Sequence, residues 1–288
     1  MRITSMCMSC LLSKQEKLIR DYEDEDKKDQ YLRQVMKIMI DDSLQLSAPE
    51  CLELIEQLHE EYFGKLESNW ETRKRYNEQV MEKVSYVSQV VEEAEDPLAA
   101  AIKAARVGNY IDSMALPVID KDQFESLLYK IEEEQLEEQV YESFKEDLKI
   151  AKSLVYITDN CGEIVFDKVC LDEISKLYPD LKITVLVRGG EVINDATMED
   201  ARQIGMTETY EVMGNGTRIP GTSLRKISNE ARELLEAADV IVAKGQGNHE
   251  SLSGCGLNIY YLLLCKCSLY TKKFGVKQLS GIFVKECP

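Results

Sequence analysis

Two aspartates, an asparagine, an arginine and a lysine stand where apolar runs of the chain stop abruptly. Asp159 and Asn160 follow Ser153–Thr158 (Ser-Leu-Val-Tyr-Ile-Thr). Arg188 follows Lys182–Val187, with Asp195 a few residues on. Lys244 follows Asp239–Ala243 and opens the stretch Lys244-Gly-Gln-Gly-Asn-His-Glu250. Short runs of β-branched and aromatic residues bounded by turn residues are the pattern of buried strands. A carboxylate at the end of such a run is destabilising unless something pairs with it. Two carboxylates and a carboxamide are oxygen donors of the kind that Mg²⁺ or Mn²⁺ takes, water and substrate phosphate completing the shell. Lys244 would neutralise that phosphate, with Arg188 at the same edge. The glycines of Gly245-Gln-Gly247 and Gly214-Asn-Gly216 would let backbone N–H groups approach it. Metal and lysine together would stabilise the charge of phosphoryl transfer.

For these residues to meet, their strands must run parallel, because ligands of open α/β sheets bind outside the carboxyl ends of the strands. The second half of the chain has the required alternation. Strand Ser153–Thr158 precedes a helical pattern over Glu163–Leu177. Strands follow at Lys182–Val187 and Glu208–Met213, then a helix over Leu224–Ala238, strand Asp239–Ala243 and an apolar run Ile259–Cys265. This predicts a Rossmann-like, three-layer α/β/α region with a mostly parallel sheet. In the first half apolar residues recur at spacings of three and four, as in helices. One helix spans Lys27–Ile40. Another starts at Ser47-Ala-Pro-Glu50 and ends at Gly64. A third runs from Ser68 or Asn69 to about Ala94. Asp96-Pro97 opens a fourth, and Gly108-Asn-Tyr-Ile-Asp112, taken alone, reads as its end. Helix resumes from Asp120 to about Leu148. The expected organisation is a helical bundle over 1–148 and an α/β/α metal- and phosphate-binding domain over 149–288. His59, among glutamates, is expected at the surface. His249 either lines the site or helps start a helix.

Composition narrows the partners. The chain has 288 residues, a net charge of -17 and 44% hydrophobic residues, which suits a globular protein and not a basic nucleic-acid or anionic-membrane binder. No apolar run approaches the roughly 20 residues of a membrane span. The N-terminus lacks a signal peptide's apolar core, so a cytoplasmic location is expected. The nine cysteines are an odd number, which argues against a disulfide scaffold. Cys7-Met-Ser-Cys10 has metal-ligand spacing, readable as a second metal or redox site or as plain buried thiols; a structural zinc site wants four ligands. Cys161 lies beside the proposed ligands, but no histidine is placed to activate it.

Asp159-Asn-Cys-Gly-Glu-Ile-Val-Phe-Asp167, Val187-Arg-Gly-Gly190, Asn194-Asp-Ala-Thr197 and Lys244-Gly-Gln-Gly-Asn-His-Glu250 follow one another in that order. Asp96-Pro-Leu98 and Gly108-Asn-Tyr-Ile-Asp112 precede them. In these motifs the chain resembles the metal-dependent damage-control phosphatases, long catalogued as domain of unknown function 89. Cys7-x-x-Cys10 is similar to the stand-alone prokaryotic branch. The resemblance runs from Cys7 to about Cys267.

It implies a helical domain against an α/β/α domain. It implies Asp159, Asn160 and Asp195 as ligands of Mn²⁺, Mg²⁺, Co²⁺ or Ni²⁺. Lys244 would contact the substrate phosphate, with Gly245, Gly247 and Asn248 beside it. Asn109 and Asp112 would reach the site from the helical domain, against their reading as a helix end. The implied activity is hydrolysis of small phosphate monoesters, such as sugar phosphates or damaged phosphometabolites, by water or through an aspartyl-phosphate on Asp159. His249, Glu191 and Ser113-Met114 depart from the usual pattern, which bears on substrate preference. The rival expectation is a non-catalytic binder of a phosphorylated metabolite or nucleotide. A nucleotide binder would want Gly-x-Gly-x-x-Gly after its first strand, and Asp159-Asn-Cys-Gly162 lacks it. The oligomeric state is left open.

Overall fold

The computed structural model describes residues 1–41, 45–113, 126, 129–131 and 133–287, and for 111–113 the backbone alone. The described chain runs through α1 (Ser5–Ile19), α2 (Glu25–Ile40), α3 (Ala48–Phe63), α4 (Trp70–Met81), α5 (Val84–Glu92) and α6 (Pro97–Ser113). Helix Glu138–Ile150 then leads into the strands. α3 starts as its sequence dictates. Ser47 and Glu50 form a reciprocal capping box, Pro49 sits in the first turn, and Gly64 ends the helix at φ +88°. α1, α2 and α3 share a core of Leu11, Ile19, Tyr31, Val35, Cys51 and Ile55. His59 is not at the surface as expected. It lies one turn beyond Ile55 on the same face, is 2% exposed, and meets Tyr31 edge-on at 5.9 Å between ring centroids.

Two helical expectations change. The stretch from Asn69 to Ala94 is two helices, α4 and α5, broken at residues 82 and 83. Neither break residue is Gly or Pro, so periodicity alone does not reveal the break. Gly108 does not stop α6, which continues to Ser113. A Cβ there would lie 3.0 Å from Phe166 Cδ2. The glycine therefore permits close packing of α6 on helix Glu163–Leu177.

The sheet contains β1 (Ser153–Ile157), β2 (Lys182–Val187), β3 (Glu211–Gly214), β4 (Val240–Lys244), β5 (Ile259–Leu264) and β6 (Gly281–Glu286). Its order is β3-β2-β1-β4-β5-β6. The first five are parallel neighbours, and β6 joins β5 antiparallel. Strand residues alternate between two cores. Leu154 and Tyr156 face one, with helix Glu163–Leu177 and α6. Val155 and Ile157 face the other, with helix Asn229–Glu236. That helix is shorter than the expected Leu224–Ala238, starting at the cap Ser228. The helical region followed by a mostly parallel, three-layer α/β/α sheet is the expected fold class; β6 is an addition to it.

His249 lies within helix Gly245–Leu252 and is buried. Its Nδ1 is 2.7 Å from Tyr270 Oη, and Lys273 Nζ is 3.2 Å from its Nε2. An ammonium only donates, so Nε2 accepts and Nδ1 carries the proton. Burial, reinforced by Lys273, pushes its pKa down to about 3. The unfolded histidine takes up a proton below about 6.5, whereas the folded one stays neutral to about 3. Stability is therefore lost as pH falls from the upper value towards the lower. His249→Phe keeps the aromatic packing with Tyr261 and Phe274 and removes this titration. Thermal melts should show a smaller acid loss in the variant. Near neutrality the variant should be less stable by about 1 kcal/mol for the lost Tyr270 hydrogen bond. Identical pH profiles would refute this.

Candidate active site at the carboxyl edge of the sheet

The chain passes from β1 to β2 on one side and returns to β4 on the other, so the β1/β4 boundary is the topological switch point. Asp159 and Asn160 follow β1, and Lys244 ends β4. Gly162 takes φ +69°, which turns the chain sharply into helix Glu163–Leu177. Its N–H donates to Asn77 Oδ1 of α4 at 2.6 Å. The turn at 194–196 is latched onto the turn after β1. Ala196 N donates to Asp159 O at 2.7 Å, and Cys161 N donates to Asn194 O at 2.8 Å. This brings Asp195 beside Asn160.

Asp159 lies directly over Gly245, where a Cβ would overlap its carboxylate. Asp159 Oδ2 accepts from Asn109 Nδ2 at 3.1 Å and from Asn160 Nδ2 at 2.8 Å. Arg188 donates from Nε to Asp195 Oδ2 at 2.6 Å and from Nη1 to Asn248 Oδ1 at 3.2 Å. Its Nη2 is 3.7 Å from Asp159 Oδ1 and makes no hydrogen bond among the described residues. Lys244 is fully buried and donates to Glu163 Oε1 at 2.5 Å, Asp167 Oδ1 at 2.6 Å and Ala105 O at 2.9 Å.

The expected residues do not all stand in the same relation to this cluster. Asp159, Asn160, Asp195, Arg188, Lys244 and Asn109 come together. Asp112's side chain falls outside the described residues. Gly245, Gly247 and Asn248 are not a loop but the first turn of helix Gly245–Leu252. A Cβ on Gly247 would overlap the carbonyl of Pro220. Asn248 is a staple: its Nδ2 donates to Thr158 O at 3.0 Å and Lys244 O at 2.7 Å, and its Oδ1 accepts from Thr222 and Arg188. Lys244 does not present its ammonium at the edge, since three acceptors already take its three hydrogens. Cys161 is buried in the turn. Cys7 and Cys10 lie on α1 and line a cavity of about 380 Å³ with Cys267, Gln246 and Gly247. Glu163 and Asp167 were missed as site residues. Their signal was in the sequence: they fall four apart on one helix face, immediately after Asp159 and Asn160.

Burial pushes the Asp159 carboxyl up to about 8, with Glu163 and Asp195 adding repulsion. Burial likewise raises Asp167, to about 6, against the pull of Lys244. Among the described residues the buried cluster holds four carboxylates (Asp159, Glu163, Asp167, Asp195) and two cations (Arg188, Lys244). Four against two leaves two negative charges, the charge of one divalent cation. Asn109 Oδ1 is buried and has no hydrogen-bond partner among the described residues. This donor set of carboxylate and amide oxygens suits a hard cation. Among the described residues no group of three or more His, Cys, Asp and Glu is placed to hold a metal ion. The expected set, two carboxylates and an amide, is smaller than that. Beside it a cavity of about 530 Å³ is lined by Glu53, Glu56, Gly189, Gly190, Arg218 and Lys226.

Helical region, doubly wound sheet and polar cluster at the switch point define an α plus α/β protein with a candidate site at the carboxyl edge of its sheet. The chain belongs to the damage-control phosphatase ARMT1-like domain family, whose profile matches residues 3–281. It is 34% identical over 285 residues to a damage-control phosphatase of Archaeoglobus fulgidus, covering 96% of each chain. It is 35% identical over 181 residues to Damage-control phosphatase PH1575 of Pyrococcus horikoshii, covering 61% of each. The crystal structure of that Pyrococcus horikoshii DUF89 family protein superposes with a TM-score of 0.79, at 26% identity and 99% coverage of both chains. No helix among the described residues is long and apolar enough to cross a membrane.

The raised Asp159 carboxyl has a consequence without any cation. Between the unfolded value of 3.8 and about 8, the folded state holds a proton that the unfolded state has lost. Stability therefore falls as pH rises through that window. Asp159→Asn removes the effect. In chelator-treated protein the variant should gain on wild type by several degrees of melting temperature as pH is raised from about 4 to about 8. Added Mn²⁺ should stabilise wild type and not the variant. A wild-type–variant difference that does not change with pH would refute the assignment.

Proposed function

We propose that the chain is a metal-dependent phosphatase of small phosphorylated metabolites. The observation that carries this reading is the buried Nη2 of Arg188, which makes no hydrogen bond among the described residues. It lies 3.7 Å from Asp159 Oδ1, at an edge with two negative charges in excess. Arg188 offers a phosphoryl oxygen its free donor while Nε and Nη1 stay fixed on Asp195 and Asn248. Asp159, Asn160 and Asp195 would hold the divalent cation: Mn²⁺, Mg²⁺, Co²⁺ or Ni²⁺. Bound there, the cation supplies Lewis-acid polarisation of a phosphoryl oxygen and lowers the pKa of a water. Asp159 is also the carboxylate available as nucleophile, should an aspartyl-phosphate form. Lys244 acts from behind, holding Glu163 and Asp167 instead of touching phosphate. The cavity beside Gly189 and Gly190, about 530 Å³, has room for the rest of a small metabolite. Gly245 keeps space for Asp159, and Asn248 fixes Arg188.

The same reading puts a domain boundary at 148/149, in the last turn of helix Glu138–Ile150, which leads into β1. Assignment to the stand-alone prokaryotic branch with Cys7 and Cys10 belongs to the proposal. A cytoplasmic setting belongs to the proposal.

Hydrolysis of p-nitrophenyl phosphate by chelator-treated protein, with and without Mn²⁺, tests it. Turnover should require the metal. Asp159→Ala should lower kcat by about a thousandfold, and Arg188→Ala should lower kcat/KM by at least about a hundredfold. Full activity of Asp159→Ala, or turnover indifferent to chelator, would sink the reading. Metabolite binding without any turnover would point to the non-catalytic binder.

A further inference from the structure

Glu163 has no chemical task in the reading above, yet it sits at the centre of the cluster and is fully buried. Its Oε2 accepts from Asn109 Nδ2 at 2.6 Å and from Asn160 Nδ2 at 3.0 Å. Its Oε1 accepts from Lys244 Nζ at 2.5 Å. The two amides come from different parts of the chain, α6 and the turn after β1. Both point nitrogen at the same carboxylate oxygen.

A carboxamide is nearly symmetrical in shape, and its partners decide which end is oxygen. Here both NH₂ groups are committed to carboxylates, Glu163 and Asp159. The oxygen of Asn109 is left buried, with no hydrogen-bond partner among the described residues. A hard cation takes amide oxygen and not amide nitrogen. Glu163 is the fixed member of the pair of acceptors. Lys244 grips its other oxygen while bound to Asp167 and Ala105 O, so Oε2 faces the amides.

We propose that Glu163 is a positioning residue: by taking the NH₂ groups of Asn109 and Asn160, it makes both side chains present oxygen to the cation. This rests on the metal-dependent reading of the site. Glutamine in its place keeps the shape but adds a donor. That NH₂ must face either the Lys244 ammonium or the two amides, donor against donor. The amides then turn, and nitrogen replaces oxygen at the cation.

The test is Mn²⁺ affinity of the full chain without substrate, read from the electron paramagnetic resonance signal of free Mn²⁺. Kinetics on p-nitrophenyl phosphate run alongside. Glu163→Gln should weaken Mn²⁺ binding at least about tenfold, the scale of a lost orienting partner. Asp167→Asn removes one unit of charge from the other partner of Lys244 without touching either amide. Its loss of affinity, which reports the charge alone, should be at least about threefold smaller than that of Glu163→Gln. The double variant Asn109→Asp/Glu163→Gln reverses the polarity of the hydrogen bond, keeps the net charge and returns an oxygen to the cation. It should bind Mn²⁺ more tightly than Glu163→Gln but less tightly than wild type, because the Asn160 amide still meets the new donor, and it can be made even if Glu163→Gln alone does not fold. Wild-type affinity in Glu163→Gln, equal losses in Glu163→Gln and Asp167→Asn, or no recovery in the double variant would each overturn the proposal. Wild type that binds Mn²⁺ and turns over ester while Glu163→Gln matches it overturns this inference alone. Wild type that does neither overturns the phosphatase reading and this inference with it.

Discussion

The ammonium of Lys244 is shut off from water, and most of the site hangs on it. It joins β4 to Glu163 and Asp167 on one helix and to the Ala105 carbonyl on another. Burial alone would lower its pKa; Asp167 and Glu163 outweigh that and hold it above the usual lysine range. Such a buried ion pair contributes little net stability over an apolar replacement, but losing one partner leaves a bare charge and costs about 3–5 kcal/mol. Its main effect is therefore geometric. With both carboxylates tied to Lys244, Glu163 presents its second oxygen to Asn109 and Asn160, and Asp167 accepts from Tyr156 at 2.7 Å.

That arrangement requires the helical region to come unusually close to the sheet. Gly108 lets α6 approach Phe166, and Asn109, the next residue, is thereby delivered to Asp159 and Glu163. Gly245 makes the equivalent allowance on the other side, leaving room for the Asp159 carboxylate above the first turn of its helix. A methyl group at either glycine would push charged partners apart inside a dry interior, where realignment cannot be compensated by water. The same glycines that read as loop or stop signals are thus contact residues.

This explains which parts were legible in the sequence. β1, β2 and β4 are continuous apolar runs, and the residues at their ends were read from that pattern. Asp159, Asn160 and Asp195 could be placed together because parallel strands bring their ends to one edge. Lys244 was placed correctly in the chain but not in space. A lysine after a strand looks exposed, and its acceptors, Glu163, Asp167 and Ala105, come from two other elements. His59 was misread for a similar reason: its neighbours in sequence are acidic, but its i−4 neighbour Ile55 is core. β6 carries no motif and was missed; its pairing with β5 is a tertiary fact. Glu163 and Asp167 had a readable helical spacing, yet acids near a helix start are common enough, given the helix dipole, to pass without notice.

The charge imbalance of the cluster sets a choice between occupants. Two uncompensated negative charges in a buried site must be met by protons or by a cation, because separating them from water is too costly to leave them bare. The raised Asp159 carboxyl is the protonic answer. It satisfies one charge only, and it converts an acceptor into a donor next to Arg188. On the proposed reading a divalent cation would satisfy both and leave every carboxylate ionised, so it would bind in competition with that proton and add its binding energy to the folded state. With Asp159 and Asp195 then engaged, Arg188 keeps its fixed contacts to Asp195 and Asn248. Its remaining donor faces a site whose carboxylates are already neutralised. On the proposed reading an incoming phosphate would then meet an edge without net charge, in place of the two negative charges that stood there before. Anion binding at this acidic site would thus be conditional on the cation, and the order follows from the count of charges around Lys244.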